Sequence, residues 1–203
     1  MFWSRRQHPI NSDDDALPLT ARDVYLRPAL PFDYGQWTWV RAKNQAHLKP
    51  FEPTWPKDAL TPEFFARRLL RLNEDWKNDR GYAFLIFKND SDDLVGGINI
   101  NNIVRGAAQY ASLGYWIDED HQGRGLMAQA GRAVLQFAFD KILLARMNAA
   151  CLPHNLRSKN LLLSLGFTEE GFAKRFIQIN GKREDHILFG LNEDDFSGGA
   201  GNA

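Results

Sequence analysis

Apolar positions recur along this chain with two periods, and the period switches where the chain turns. Leu126, Ala130, Val134 and Phe137 follow one another at helical spacing, so an amphipathic helix opens at Gly125. Thr61 as N-cap and Pro62 at the first helical position open another, running to about Trp76. An earlier helix starts at Pro31 and carries Trp37, Val40 and Arg41 toward Ala46. Val24–Arg27 reads as a short strand stopped by Pro28. Tyr82–Lys88 and Leu94–Asn101 read as a hairpin joined by the turn-prone run Asn89 to Asp93. Gln109–Ile117 alternates approximately and predicts a further strand, as does Arg146–Leu152. After the latter, Pro153-His154-Asn155 leads into a short helix ending at Leu165-Gly166-Phe167. Phe172–Ile179 and Arg183–Leu191 meet at Asn180-Gly181, a strong hairpin signal. Phe51 to Pro56 holds too much proline to be regular. The sum is a mixed sheet with helices crossing it.

Composition narrows the setting. The 203 residues suit one domain, expected over 21–192, with 1–20 as a flexible N-terminal arm and 193–203 as a disordered, Gly-rich tail. Lys plus Arg (25) balances Asp plus Glu (25), so no nucleic acid or acidic membrane is demanded as a partner. The one cysteine, Cys151, rules out an internal disulfide and a multi-thiolate zinc site, and the five histidines are scattered, so no metal is expected. No stretch approaches the roughly 20 apolar residues of a spanning helix, and no apolar run follows Arg5 and Arg6 as in a signal peptide. The expected location is the cytoplasm.

The chemistry concentrates at Gln122-Gly123-Arg124-Gly125-Leu126-Met127, a glycine turn between a strand and a helix. That order presents bare backbone N–H groups at the positive end of a helix, which suits a pyrophosphate. With Ala128 the turn also fits the G-x-G-x-x-G/A pattern of nicotinamide- or flavin-binding folds. Three features oppose that reading. No acid stands about 20 residues on to hold a ribose, the turn follows an antiparallel hairpin, and no further strand–helix repeats come after it. A plain tight turn, with glycines for positive φ, stays open.

Taken with Asn155-x-x-Ser158, Leu113-Gly114-Tyr115-Trp116-Ile117, Gly166-Phe167, Glu169-Glu170-Gly171 and Asn180-Gly181, the turn resembles the GNAT superfamily of acetyl-CoA-dependent N-acetyltransferases. Within it the chain is similar to the ribosomal-protein-alanine N-acetyltransferases, from about Val24 to Leu191. The resemblance implies an α/β (α+β) fold: a mostly antiparallel mixed sheet, helices on both faces, and a splayed central strand pair. It implies acetyl-CoA as co-substrate, its pantetheine arm pairing with Trp116 and Ile117 beside Asp118, and its pyrophosphate on the N–H groups of Gln122, Gly123, Arg124, Gly125, Leu126 and Met127. Asp120, where the family usually carries Gln or Arg, is expected to point away from the phosphates.

The resemblance also assigns Asn155 and Ser158 to the cofactor side, with Ser158 as the group that protonates or hydrogen-bonds the departing sulfur. Asn155 reads equally as an N-cap, and Ser158 as an ordinary first-turn serine. Glu170 matches a catalytic-candidate glutamate of the subgroup and reads equally as a surface acid. Gln109–Ile117 lacks the glutamate that many relatives place there. Phe51 and Trp55 are expected to line an acceptor groove, while Phe64 and Phe65 read as core. Cys151 reads as a small buried hydrophobe near the cofactor arm. An α-amine, with a pKa of about 7.7–8.0, is partly neutral near pH 7, whereas a lysine at about 10.4 is almost wholly charged. A site without a strong base therefore suits a protein N-terminus. The alternatives are a small amine such as an antibiotic or polyamine, or a catalytically silent CoA-binding regulatory module. A monomer or a homodimer is expected.

Overall fold

The computed structural model of the protein describes residues 18–197. Eight strands form one sheet in the order β1-β2-β3-β4-β5-β6-β8-β7. They are β1 (Leu19–Thr20), β2 (Val24–Arg27), β3 (Gly81–Lys88), β4 (Leu94–Val104), β5 (Tyr110–Ile117), β6 (Arg146–Cys151), β7 (Thr168–Ile179) and β8 (Lys182–Asn192). The helices are α1 (Tyr34–Lys43), α2 (Gln45–Leu48), α3 (Pro62–Lys77), α4 (Leu126–Gln136) and α5 (Leu156–Ser164). All neighbouring strands are antiparallel except β5 and β6, which run parallel and pair only at Tyr110–Arg146, Ala111–Met147 and Ser112–Asn148. Beyond Ser112 and Asn148 the two strands part. The mixed sheet with a splayed central pair is therefore observed.

Strand alternation sorts the side chains onto two faces. Tyr82, Phe84, Ile98, Ile100, Leu113 and Met147 face α4 and α5 and make the main core. Leu85, Phe87 and Leu94 face the other way, against Trp37 and Val40 of α1 and Phe65 and Leu69 of α3. Helix α3 begins as its sequence predicts: the Thr61 side chain accepts from the Phe64 N–H at 3.2 Å, with Pro62 in the first turn. No helix among the described residues is long and apolar enough to cross a membrane.

The domain edges differ from expectation. Leu19 and Thr20, expected in the arm, pair with Leu26 and Tyr25 and add an edge strand. The expected tail begins with a single 3-10 turn over Glu193–Asp195; the Glu193 N–H donates to the Ala145 carbonyl at 2.9 Å, and Phe196 packs on Phe139. Backbone pairing and an aromatic contact keep both short segments on the domain. The rest of the expected arm and tail, 1–17 and 198–203, lies outside the described residues.

Candidate active site

Strand β5 ends at Ile117 and the chain turns through a single 3-10 turn, Glu119–His121, before entering α4 at Leu126. Gly123 and Gly125 hold φ of +71° and +74°, and Gly125 in this left-handed conformation is the N-cap of α4. No atom stands within 4 Å of where a Cβ would sit on either glycine, so the backbone there is uncovered. Among the described residues, the N–H groups of Gly123 to Ala128 find no acceptor. The bare series begins one residue later than expected, because the Gln122 N–H already donates to the Glu119 carbonyl at 3.2 Å. Leu126 and Met127 bury their side chains in the core and offer only backbone, whereas Arg124 is exposed.

The turn is clamped from α1 and α2, some 75 residues away in sequence. Asp118 is 1 % exposed, and its carboxylate accepts from Asn44 Nδ2 at 2.8 Å, Lys43 Nζ at 3.0 Å and His121 Nδ1 at 2.9 Å. Burial by itself raises an acid's pKa, but these donors outweigh it and hold Asp118 down to about 2. Asp118 was expected beside the cofactor; its carboxylate instead faces inward as the turn's anchor. The Asn44 amide oxygen in turn accepts from the Glu119 N–H at 2.8 Å. Asp120 lies 2.6 Å from Lys43, which offsets its charge. Gln122 bonds His47 Nε2 at 2.7 Å and accepts from Arg157, so its side chain braces the turn as well.

Across the splay, Asn155 caps α5: its Oδ1 accepts from the Ser158 N–H at 3.1 Å. The Ser158 hydroxyl lies 2.7 Å from the Tyr115 phenol and beside the buried Cys151 thiol. Burial raises the pKa of both Tyr115 and Cys151, so both stay protonated, with Ser158 easing each shift. Strand alternation puts Tyr115 on the core side of β5, but its bond to a serine 43 positions later has no local signal.

On the opposite face, Asn99, Asn101, Ser112, Gly114, Asn148 and Gly190 follow one another across β4, β5, β6 and β8 as a polar floor. Trp116 lies at its edge, so close over Gly97 that a Cβ there would stand 2.5 Å from the indole nitrogen. Arg41 stacks between Trp116 and Trp55, at 4.9 and 4.3 Å from their centroids, and is bidentate to Glu52 at 2.7 and 2.6 Å. The tip of the β7–β8 hairpin closes on the same loop, with the Asn180 N–H donating to the Glu52 carbonyl at 2.9 Å. Trp55 thus borders this floor. Phe51 does not: it stacks near His47 and His154, at 6.5 and 6.0 Å, on the glycine-turn side.

Glu170 is likewise apart from Ser158. It bulges out of β7 over Gly190 and pairs with Arg146, at the closed end of β6. Five residues of strand separate Arg146 from Cys151, about 16 Å. The geometry of Glu170 supplies an ion pair with Arg146, which also donates to Asn148 of the floor at 2.7 Å, at the closed end of the splayed strands.

A family model for the acetyltransferase (GNAT) domain matches residues 23–168. This chain belongs to the GNAT acetyltransferase family. As a GNAT enzyme it takes its acetyl group from acetyl-CoA, an N-acetyltransferase by class. It is 36% identical over 158 residues to the [ribosomal protein uS5]-alanine N-acetyltransferase of Escherichia coli (strain K12), covering 78% of this chain and 81% of that one. It is 35% identical over 178 residues to the probable N-acetyltransferase YjcK of Bacillus subtilis (strain 168), covering 87% and 98%. Among solved structures, Mycobacterium smegmatis RimJ in complex with CoA-disulfide superposes with a TM-score of 0.83 at 27% identity, covering 94% of this chain and 92% of that one. The uncovered N–H groups and open β5 edge of this GNAT acetyltransferase fit a phosphate-bearing donor that ends in an amide-rich arm.

Proposed function

We propose that this acetyltransferase acetylates the N-terminal α-amine of a protein, of the ribosomal kind named for its Escherichia coli relative. One observation carries the reading. The floor opposite α4 and α5 carries neutral polar groups, Asn99, Asn101, Ser112 and Asn148, and the carboxylate beside them, Glu170, is tied to Arg146. An amine accepted there must arrive already neutral. An α-amine does so to roughly a tenth or a fifth near pH 7, a lysine to well below about 0.1%. A polycationic small amine would call for free acids, and Glu52 and Glu170 are both neutralised by arginines. A ribosomal acceptor places the reaction in the cytoplasm.

In this reading the N–H groups of Gly123 to Met127 hold the donor's pyrophosphate, and the open edge of β5 from Trp116 to Ile117 holds its amide arm. The donor supplies a thioester carbonyl. The neutral amine attacks that carbon, a backbone N–H near Ile117 donates to the developing oxyanion, the added nitrogen gives up its extra proton to water, and the oxyanion collapses to the amide as the C–S bond breaks. Ser158, positioned by Tyr115 and by its N–H bond to Asn155, offers its hydroxyl to the departing sulfur. The test is a panel of acceptors: an alanine-terminated peptide, its Nα-blocked counterpart containing lysine, and a polyamine. The expected kcat/KM is at least about 100-fold higher for the free alanine terminus, following the difference in neutral amine. Comparable turnover on all three would overturn the reading.

A further inference from the structure

Helix α3 turns Arg68 toward the acceptor face. There it lines a small cavity with Trp37, Phe65, Ala83, Asn99 and Trp116. Its neighbour Arg67 is exposed and paired with Asp58. Arg68, in contrast, makes no hydrogen bond or ion pair among the described residues. The charges that reach it are mostly its own sign: Arg41 and Arg71 repel it, and Glu52 alone attracts it. Glu52 has little to spare, because Arg41 takes both of its oxygens and the Trp55 N–H shares one at 2.7 Å. Burial first, and then the two arginines, push Arg68 down to about 10.

A half-buried guanidinium set against the rings of Trp37, Phe65 and Trp116 and left without an anion is a costly way to fill that cavity. The arrangement is that of a half-built ion pair. Asn99 and Trp116, which share its cavity, lie on adjacent strands two residues out of register, Asn99 pairing with Gly114 and Trp116 with Gly97. The backbone of Trp116 also borders the open edge of β5. The unpaired cation therefore stands within a few residues' reach of the point of transfer.

We infer that Arg68, with Arg41 and Arg71 around it, anchors an acidic side chain of the acceptor close behind the amine that is acetylated. This rests on the N-terminal-amine reading and adds to it a substrate class: protein N-termini with Asp or Glu among their first few residues. A planar guanidinium fork matches a carboxylate with two parallel hydrogen bonds, and the rings of Trp37, Phe65 and Trp116 line the cavity beside it.

The experiment uses alanine-terminated peptides, identical except for Glu, Gln or Lys at the second, third or fourth position. Initial rates with acetyl-CoA give kcat/KM for each. At one of these positions the Glu peptide exceeds its Gln isostere by about 10- to 100-fold, and Lys is poorer still. In Arg68→Met the Glu-to-Gln ratio falls to near 1 without loss of melting temperature, and Arg68→Lys restores part of it. Equal kcat/KM for Glu, Gln and Lys peptides at every position in the unaltered enzyme overturns the inference and leaves the α-amine reading standing. A lower melting temperature in Arg68→Met with the ratio intact makes Arg68 structural and also overturns it. Transfer to none of the peptides overturns both readings.

Discussion

Asp118 shows how a side chain's surroundings are set by residues distant in sequence. It sits at the mouth of the glycine turn, which suggested a ligand contact, yet Lys43, Asn44 and His121 turn its carboxylate inward. Asn155 was legible from local rules: an Asn before a helix caps it, and its amide oxygen accepts from the N–H of the serine three residues later. Tyr115 and Arg68 had no such signal, because their environments come from distant segments. The Asp118 clamp has a measurable consequence. Folded, the group titrates at about 2; unfolded, at about 3.9. Its contribution, of the order of 2 kcal/mol, is complete above about pH 4 and is lost as pH falls through 2. Urea unfolding should show the midpoint dropping between pH 4 and pH 2, and Asp118→Asn should flatten that limb while lowering stability at pH 7.

At the scale of elements, the sequence was legible wherever the signal is periodic or local. Strand β2, the β3–β4 and β7–β8 hairpins, the capped start of α3 and the entry to α4 all lie where spacing and turn residues predict. Two element-level facts were not legible. The α1–α2 junction pins the β5–α4 turn through side chains 75 residues apart, and β7 bulges at Glu170 so that its acid reaches back over Gly190 to Arg146. The glycine turn itself can be tested against a matched control. Gly125→Ala and Gly106→Ala each place a Cβ into open space at a φ of +74° and +72° respectively. Each should cost about 1 kcal/mol of stability from left-handed strain. Only Gly125→Ala should also raise the KM for acetyl-CoA, by tenfold or more, since its Cβ would hold the phosphates off the backbone. Equal KM values for the two variants would remove the turn from the donor site.

The whole molecule divides its work between the two faces of one sheet. Helices α4 and α5 stand on one face with the uncovered turn and Ser158 beside the splay; the polar floor, Trp55, Trp116 and the arginines of α1 and α3 lie on the other. The parting of β5 and β6 beyond Ser112 joins the two sides, so a donor and an acceptor can meet without sharing an entrance. In the proposed reaction, neutral amides on the floor leave the acceptor's own acidity to set its reactivity. The most direct test is the pH dependence of kcat/KM with two alanine-terminated peptides whose α-amine pKa values differ by about one unit. The predicted result is a single rise whose midpoint moves with the peptide, near the α-amine range of about 7.7–8.0 for an ordinary terminus. A midpoint that stays fixed when the peptide is changed would show a base on the enzyme and contradict transfer to an amine that arrives neutral.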